Sequence, residues 1–508
     1  MPSPSRWTLA ATILASSMTF IDGTVVNVAL PALQADLHAT ITDVQWVIEA
    51  YALFLGALIL VGGSLGDQLG RKRVFLWGVA VFAAASLWCG LAASPRTLIA
   101  ARALQGVGAA FLVPGSLAII SATFDERERG RAIGTWSGLS AITTAIGPVA
   151  GGWLVEHVSW RAVFFLNLPL AVIVLMLSLR FMNESRDPSR TTRIDWSGAV
   201  LAVLGLGGIV FGLLEWPPLG PRDPMVLGAL AVGSVSLVSL FAVEWHVGNP
   251  MLPLDLFRSR SFTLANLVTL FLYAALSVVL FLVPLNLIQV QHYTATAAGA
   301  ALLPLPLIIF VLSRWSGGLV IRVGSRLPLT IGPAVGAIGL ALYARPEVGG
   351  PYWTTFFPAI VVLAFGLAVT VAPLTTTVMA AVDPRHAGVA SGINNAVSRV
   401  TGLLAIAIFG LLFAQAFETR VRPHLERLAL SDAARRDVDR ELPKMAGADF
   451  AQATSIGLPE QRAVRAVIDE GFVFAFRLVM LGAAALAVTA AVFGNAIRSN
   501  STMNRGEG

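Results

Sequence analysis

The run WTLAATILASSMTFIDGTVVNVALP, residues 7–31, is long and apolar enough to cross a membrane as one helix. A hydrocarbon core of about 30 Å requires about 20 apolar residues per helix. Comparable runs follow along the chain at 45–66, 74–93, 97–122, 132–156, 162–181, 195–215, 225–246, 262–289, 298–321, 327–345, 353–381, 389–417 and 471–497. Only helices and closed barrels satisfy the backbone in lipid, and these runs are about twice as long as a barrel strand. The sequence therefore predicts an all-α polytopic membrane protein with about fourteen transmembrane helices.

The composition supports the same class. Of 508 residues, 56% are hydrophobic and 13% are charged, and the mean hydropathy is +0.76. An ordinary soluble domain carries about 25% charged residues, which is what covers its surface in water. The net charge of +6 is typical of basic cytoplasmic loops, so no nucleic-acid partner is expected. The single cysteine, Cys89, excludes an intrachain disulfide, and the six histidines show no paired spacing that predicts a metal site.

The basic residues predict the orientation. They concentrate in alternate short loops, which by the positive-inside rule are cytoplasmic, together with both termini. These residues are Arg71, Lys72, Arg73, Arg127, Arg129, Arg131, Arg180, Arg186, Arg190, Arg193, Arg258, Arg260, Arg322, Arg326 and Arg385. The segment 418–470 falls on the other side although it is rich in arginine, because long loops translocate largely regardless of charge. Its stretch 431–442 is typical of a capped surface helix.

An internal repeat predicts how the spans are grouped. The stretch GSLGDQLGRKR at 63–73 and the stretch GGLVIRVGSR at 317–326 both end a span on the predicted cytoplasmic side with a similar Gly and Arg frame. If each follows the second helix of a half, the chain divides as six helices, two extra helices and six helices. The predicted units are an amino-terminal half at 1–194, the extra pair at 195–261, and a carboxy-terminal half at 262–508 that contains the loop 418–470.

Three ionisable residues stand out inside predicted spans, where such residues are costly and by default functional. At 1.5 Å per residue, Asp22 lies about 13 Å, Arg102 about 8 Å and Glu49 about 6 Å from the outer end of its span. Gln105 is one turn deeper than Arg102. Arginine stabilises the charged form of a nearby carboxylate, whereas desolvation stabilises the neutral form. We therefore expect Asp22 and Arg102, with Glu49, to couple transport to protons; the alternative is a fixed ion pair that only joins helices.

Six short motifs resemble the major facilitator superfamily, and specifically its fourteen-helix drug:proton antiporter branch (EmrB/QacA-like). They occur in the expected order, on the expected helices, at 21–31, 63–73, 102–108, 147–152, 160–169 and 388–395. The resemblance covers most of the chain. It implies a proton-coupled exporter in the bacterial inner membrane, driven by the proton gradient without a cofactor.

The resemblance also implies residues that control conformation. Gly147, Pro148, Gly151 and Gly152 match the fifth-helix antiporter motif, which implies a flexible joint; passive packing of small residues is the alternative. The loop motif with Gly63, Asp67, Gly70 and Arg71, together with Arg131, resembles a cytoplasmic charge latch. In the second copy of the repeat, Ile321 stands where an acid is expected, so the latch is expected on one side only.

Polar residues within the spans are candidate substrate anchors: Asn27, Gln105, Trp136, Asn286, Gln289 and Asn394. Few polar groups in an apolar cavity suit a small hydrophobic or amphipathic substrate. No enzyme is expected, and neither lysine lies in a nucleotide-binding Gly-rich loop. The predicted function is multidrug-type efflux by a monomer that works by alternating access. An exporter of one metabolite or lipid and a non-transporting sensor on the same scaffold are the alternatives.

Overall fold

The computed structural model describes residues 4–186, 195–246, 254–382, 387–428, 430–450 and 455–497, and these ranges contain helices but no strand. The α-helices are α1 Pro4–Asp36, α2 Ile41–Leu69, α3 Arg71–Gly90, α4 Pro95–Thr123, α5 Glu126–His157, α6 Ala162–Phe165, α7 Asn167–Phe181, α8 Trp196–Leu214, α9 Trp216–Leu219, α10 Pro224–His246, α11 Arg260–Leu285, α12 Ala295–Ala301, α13 Pro304–Gly317, α14 Leu319–Val323, α15 Arg326–Leu342, α16 Phe356–Ala380, α17 Ala387–Glu426, α18 Asp432–Glu441 and α19 Leu458–Asn495. Short 3₁₀ helices cover Leu254–Arg258 and Leu442–Gly447, and a π-helix covers Asn286–Val290.

Twelve of the predicted spans coincide with helices that are long and apolar enough to cross a membrane within the described ranges. The other two predicted spans, 132–156 and 327–345, fall on α5, a helix of 32 residues, and on α15, an apolar helix of 17 residues. The all-helical membrane class is therefore confirmed. The count of fourteen and the arrangement of six, two and six helices stay predictions.

The helices associate in two groups, with a separate pair beside them. Helices α1–α7 pack on one another, chiefly through α2, α3 and α4, and helices α11–α19 pack on one another through α11, α15, α16 and α19. The pair α8 and α10 packs together, and α8 lies against both α2 and α17. We call the end of the bundle at which α1 ends and α2 begins the outer end, and the opposite end the inner end.

Several helices extend beyond the predicted spans because protein, not lipid, covers their ends. Helix α1 continues through Pro31 to Asp36, and Leu33 and Gln34 near its end are buried. Asp22 is therefore about 21 Å from the end of α1, deeper than the 13 Å expected from the sequence. Arg102 lies about 10 Å and Glu49 about 12 Å inside their helices, measured from Pro95 and Ile41.

The outer segment 418–470 is mostly helical. Helix α17 runs to Glu426 and α19 begins at Leu458, so both ends of the predicted loop continue transmembrane helices. Between them Ser431 caps α18, as the sequence indicates, by accepting the backbone N–H of Ala434. The helix is not solvated all round, however, because Ala434 and Val438 are buried in the same hydrophobic cluster as Leu33 of α1. The segment is therefore packed onto the outer end of the bundle.

Candidate functional site

Asp22 and Arg102 form a buried ion pair between α1 and α4. The Arg102 Nη1 atom donates to Asp22 Oδ2 at 2.6 Å, and the two side chains are 2% and 0% exposed respectively. Close approach of the helices makes the contact possible. A Cβ atom at Gly106, one turn beyond Arg102, would stand 2.5 Å from the backbone oxygen of Tyr51, so α4 lies directly against α2. The structure thus brings together the two residues on which the sequence hypothesis depends.

Gln105 completes a closed hydrogen-bonded triangle with this pair. Its Oε1 atom accepts from Arg102 Nη1 at 2.6 Å, and its Nε2 atom donates to Asp22 Oδ1 at 2.8 Å and to Ser86 Oγ at 2.9 Å. Arg102 is further held by Nε, which donates to the Val47 carbonyl at 2.9 Å. Gln105 was predicted as a substrate anchor, but its side chain is fully buried and makes its hydrogen bonds to Arg102, Asp22 and Ser86.

Sequence reasoning missed three residues that contact this network: Asn167, Ser86 and Tyr51. Asn167 Nδ2 donates to Asp22 Oδ1 at 3.4 Å and to Ser86 Oγ at 3.3 Å. The ring of Tyr51 lies 4.3 Å from the Arg102 guanidinium carbon, a cation–π arrangement. Asn167, Ser86 and Tyr51 are all polar residues in apolar runs, which was the signal available in the sequence. We use the name charge cluster for Asp22, Ser86, Arg102, Gln105 and Asn167.

Glu49 is apart from the charge cluster. Its side chain is 0% exposed, and neither carboxyl oxygen has a hydrogen-bond partner among the described residues. On α2, Glu49 shares a face with Gln45 and Gly56, which approach Gly410 and Arg399 of α17 respectively. Glu49 therefore lies on the side of α2 that meets the carboxy-terminal group of helices.

The predicted substrate anchors occupy several places rather than one. Asn27 is partly accessible and donates to the Gly23 carbonyl at 3.2 Å. On the same face of α1, Ser16 accepts from Trp136 Nε1 of α5 at 2.9 Å. Asn394 of α17 donates to the Thr269 hydroxyl of α11 at 2.6 Å and to Asn266 at 3.1 Å. The hydrogen bonds of Asn27 and Trp136 lie within the amino-terminal group of helices, and those of Asn394 lie within the carboxy-terminal group.

Asn286 and Gln289 lie at the outer end, in the π-helix that follows α11. Gln289 Nε2 donates to Gln34 Oε1 of α1 at 2.7 Å, and the Gln289 carbonyl accepts from Arg465 of α19 at 2.6 Å. Gln34 in turn donates to the backbone oxygen of Lys444 at 3.1 Å. Asn286 is fully buried, and its Nδ2 atom has no partner among the described residues. These contacts join the two groups of helices where the outer segment covers them.

The glycines of the fifth helix are points of close packing. A Cβ atom at Gly147 or Gly151 would stand 2.2 Å from Thr24 Oγ1 or Val25 Cγ2 of α1. A Cβ atom at Gly152 would stand 2.3 Å from the Ala295 carbonyl oxygen of α12, in the other group. The Pro148 carbonyl is itself approached by α12, since a Cβ atom at Gly299 would come within 2.1 Å of it. Helix α5 is continuous through Pro148.

The loop motif forms an ion pair at the inner end. Arg71 Nη2 lies 2.8 Å from Asp67 Oδ1, and the two side chains are 18% and 15% exposed. Gly70 has φ +113°, and a Cβ atom there would meet the Glu184 carboxylate at 2.6 Å. Gly63 makes only an ordinary contact with Pro114, 3.7 Å from a Cβ position. The side chain of Arg131 lies outside the described part of the structure.

The comparisons with known proteins decide the family. The family model described as Major Facilitator Superfamily matches residues 12–406. This chain belongs to that superfamily. Membership makes the protein a membrane transporter and not an enzyme, and it accounts for two helix groups joined at their outer ends. The fourteen-helix branch is not distinguished by this match.

Relatives in the superfamily have similar lengths. The multidrug resistance protein Stp of Mycobacterium tuberculosis (strain CDC 1551 / Oshkosh) is 34% identical over 488 residues, which cover 94% of this chain and 89% of that protein. The puromycin resistance protein pur8 of Streptomyces alboniger is 36% identical, with 83% of this chain and 85% of that protein covered. The tetracenomycin C resistance and export protein of Streptomyces glaucescens is 33% identical, with 80% of this chain and 76% of that protein covered.

Among solved structures, the fold is similar to that of a bacterial homologue of the human lysosomal transporter Spinster. The TM-score is 0.65 at 16% sequence identity, and the alignment covers 99% of this chain and 100% of that one. At this identity the likeness supports the major facilitator fold alone.

Proposed function

We propose that this transporter is a proton-coupled efflux antiporter of small hydrophobic or amphipathic molecules. The observation that carries the proposal is the charge cluster, a buried Asp22–Arg102 pair in the membrane-spanning core. Removing charged groups from water costs several kcal/mol per ion, which makes such pairs poor devices for stability alone. The relatives support the choice of substrate, since they are named as resistance and export proteins for puromycin, tetracenomycin C and multiple drugs.

The carboxyl groups of Asp22 and Glu49 differ in the hydrogen-bond donors that surround them. Asp22 receives donors from Arg102, Gln105 and Asn167, and hydrogen bonds to a carboxylate favour its charged form. Glu49 is buried without a donor, and a buried charge without a partner is costly. In the conformation described here, a charge on Asp22 thus has three donors around it, whereas a charge on Glu49 would have none among the described residues. Separation of α1 from α4 would take Arg102 and Gln105 away from Asp22 and let Asp22 take up a proton.

Alternating access adds a second movement, between the two groups of helices. The two groups meet at the outer end through Gly152 against Ala295 and through Gln34 against Gln289. Rocking of the two groups would break these outer contacts and expose the face of α2 that carries Glu49. Protons would then enter from outside as substrate leaves, and the proton gradient alone would drive export, with no cofactor.

The finer architecture is part of this proposal. Fourteen spans, divided as 1–194, 195–261 and 262–508, are supported by the length of α5, by the apolar character of α15 and by the separate packing of α8 with α10. The protein would act as a monomer in the bacterial inner membrane with both termini in the cytoplasm. Such an arrangement is the one expected of the fourteen-helix antiporter branch.

Transport by the purified protein in proteoliposomes tests the proposal. With an imposed pH gradient, we expect uphill movement of amphiphilic probes that stops when a protonophore collapses the gradient. A panel of cationic, neutral and anionic amphiphiles separates a multidrug exporter, which moves several, from an exporter of one metabolite or lipid, which moves one. Downhill movement that is equal with and without the gradient would contradict proton coupling.

A further inference from the structure

Arg399 is a charged residue inside α17 that the charge cluster does not use. It lies 12 residues from the start of that helix at Ala387, within a run long and apolar enough to span the membrane. A Cβ atom at Gly56 of α2 would be 4.0 Å from Arg399 Cβ, so the arginine projects from α17 where the two groups of helices meet. Arginine within a span is a functional candidate by default.

The surroundings of Arg399 direct its side chain away from lipid. Helix α8 covers the lipid side of α2 and α17 at this level, in an apolar cluster formed by Leu53, Ala57, Leu206, Val210, Leu403 and Ala407. Arg399 nevertheless remains partly accessible. On the same face, one and two turns toward the inner end, Asn395 is exposed and Gly392 has nothing within 4 Å of a Cβ position. The accessible part of Arg399 therefore opens into the space between the two groups.

The charge of Arg399 is not neutralised by the protein around it. Within the described ranges its guanidinium has no hydrogen bond or ion pair, and it interacts electrostatically with the Tyr51 phenol. The described carboxylates of the facing helices do not pair with it, because Asp22 is paired with Arg102 and the Glu49 carboxyl has no partner among the described residues. A guanidinium with several unused donors in a partly desolvated site binds planar oxyanions well.

We propose that Arg399 binds an anionic group of the transported molecule, so that acidic amphiphiles, carboxylates above all, are preferred substrates. This inference rests on the proposed efflux function and specifies its substrate class. The carboxylate would accept two hydrogen bonds from the guanidinium while the apolar body of the substrate packs between the groups. Tyr51, which contacts Arg102 on one side and interacts with Arg399 on the other, would lie between bound anion and charge cluster.

Binding of a matched acid and ester tests the proposal without requiring transport. The probes are 11-(dansylamino)undecanoic acid and its methyl ester, measured as saturable binding to the full-length protein in nanodiscs, with empty nanodiscs subtracted. We expect Arg399→Gln to weaken binding of the acid about tenfold to hundredfold and to leave the ester unchanged. Arg399→Lys should retain part of the preference, because it keeps the charge and loses the paired geometry.

Arg477→Gln is the matched control, since it also removes one arginine from a membrane helix, but one whose side chain bonds the Pro346 carbonyl at the outer end. A wild-type protein that binds the acid no more tightly than the ester would overturn the proposal. Equal losses for acid and ester in Arg399→Gln would also overturn it. A different result would contradict the proposed function: a wild-type protein that moves no probe against its gradient, whether or not it prefers the acid.

Discussion

Adding one methyl group at Gly152 should open the outer end of the protein. An alanine Cβ atom there would lie 2.3 Å from the Ala295 carbonyl oxygen and 2.7 Å from its carbon. Both atoms belong to the backbone of α12, so no side chain can rotate out of the way. Because Gly152 and Ala295 belong to different helix groups, the contact exists only when the outer ends are together. Gly299→Ala makes the reciprocal clash, 2.1 Å from the Pro148 carbonyl oxygen.

The magnitude follows from the overlap. Ordinary van der Waals contact begins at 3.4 Å, so the two backbones must separate by about 1 Å. Overpacking of this kind costs about 1–3 kcal/mol. Since about 1.4 kcal/mol is a tenfold change in an equilibrium constant, the ratio of outer-open to outer-closed protein should rise about fivefold to 150-fold.

Distances between spin labels on the outer loops measure this ratio. Arg96→Cys and Val348→Cys place labels at exposed positions of the two groups, and the native Cys89 is buried. Gly62→Ala is the matched control, because its clash of 2.1 Å with the Ala110 carbonyl lies within one group. Gly62→Ala should lower thermal stability without moving the label distances. Unchanged distances in Gly152→Ala, or an equal shift in Gly62→Ala, would refute the reasoning.

Three further substitutions give distinct expectations. Glu49→Gln should change the unfolding free energy by less than about 1 kcal/mol, since the buried carboxyl has no hydrogen-bond partner among the described residues to lose. A loss of several kcal/mol in a thermal unfolding assay would show instead that a charge on Glu49 is stabilised. Asp67→Asn removes the partially exposed pair with Arg71, worth about 1 kcal/mol, and should slow transport while substrate affinity stays constant, whereas a weakened affinity would remove the latch from the account. Gln289→Ala removes the buried hydrogen bond to Gln34 and should shift the label distances toward the open form about fivefold, and no shift would mean that this bond does not hold the outer end closed.

The cost of burying charge made the charge cluster predictable. Asp22 and Arg102 stand in long apolar runs, where only a mutual contact makes both affordable, and the structure places them 2.6 Å apart. Arg399 is also a charged residue in a long apolar run, but it lies outside the six motifs and was not predicted as a site residue. Asn167 lies inside the motif at 160–169, yet the sequence does not show which side of its helix faces Asp22.

Direction around the helix was the main quantity that the sequence could not supply. Asn286 and Gln289 were predicted as substrate anchors because they are polar. In the structure both lie in the π-helix, where Gln289 bonds Gln34 and Asn286 accepts from Gln291. Helix ends were misjudged for a related reason. A length of about 20 residues is what a helix needs to cross the hydrocarbon core. Helices α1, α17 and α19 are longer than this, because other parts of the protein cover their ends. For the glycines of the fifth helix the sequence left a flexible joint and passive packing as alternatives, and the structure shows close packing at Gly147, Gly151 and Gly152.

Proton release that accompanies substrate transport is the most direct measurement of the central claim. It is recorded with a pH-sensitive dye inside proteoliposomes, for the wild type, Asp22→Asn and the control Asp255→Asn, whose carboxylate is 82% exposed in a surface pair. The account predicts that Asp22→Asn loses both proton movement and gradient-driven accumulation while it still exchanges substrate across the membrane at equilibrium. It predicts that Asp255→Asn keeps all three. Gradient-driven transport by Asp22→Asn at the wild-type rate, with an unchanged pH profile, would contradict the account.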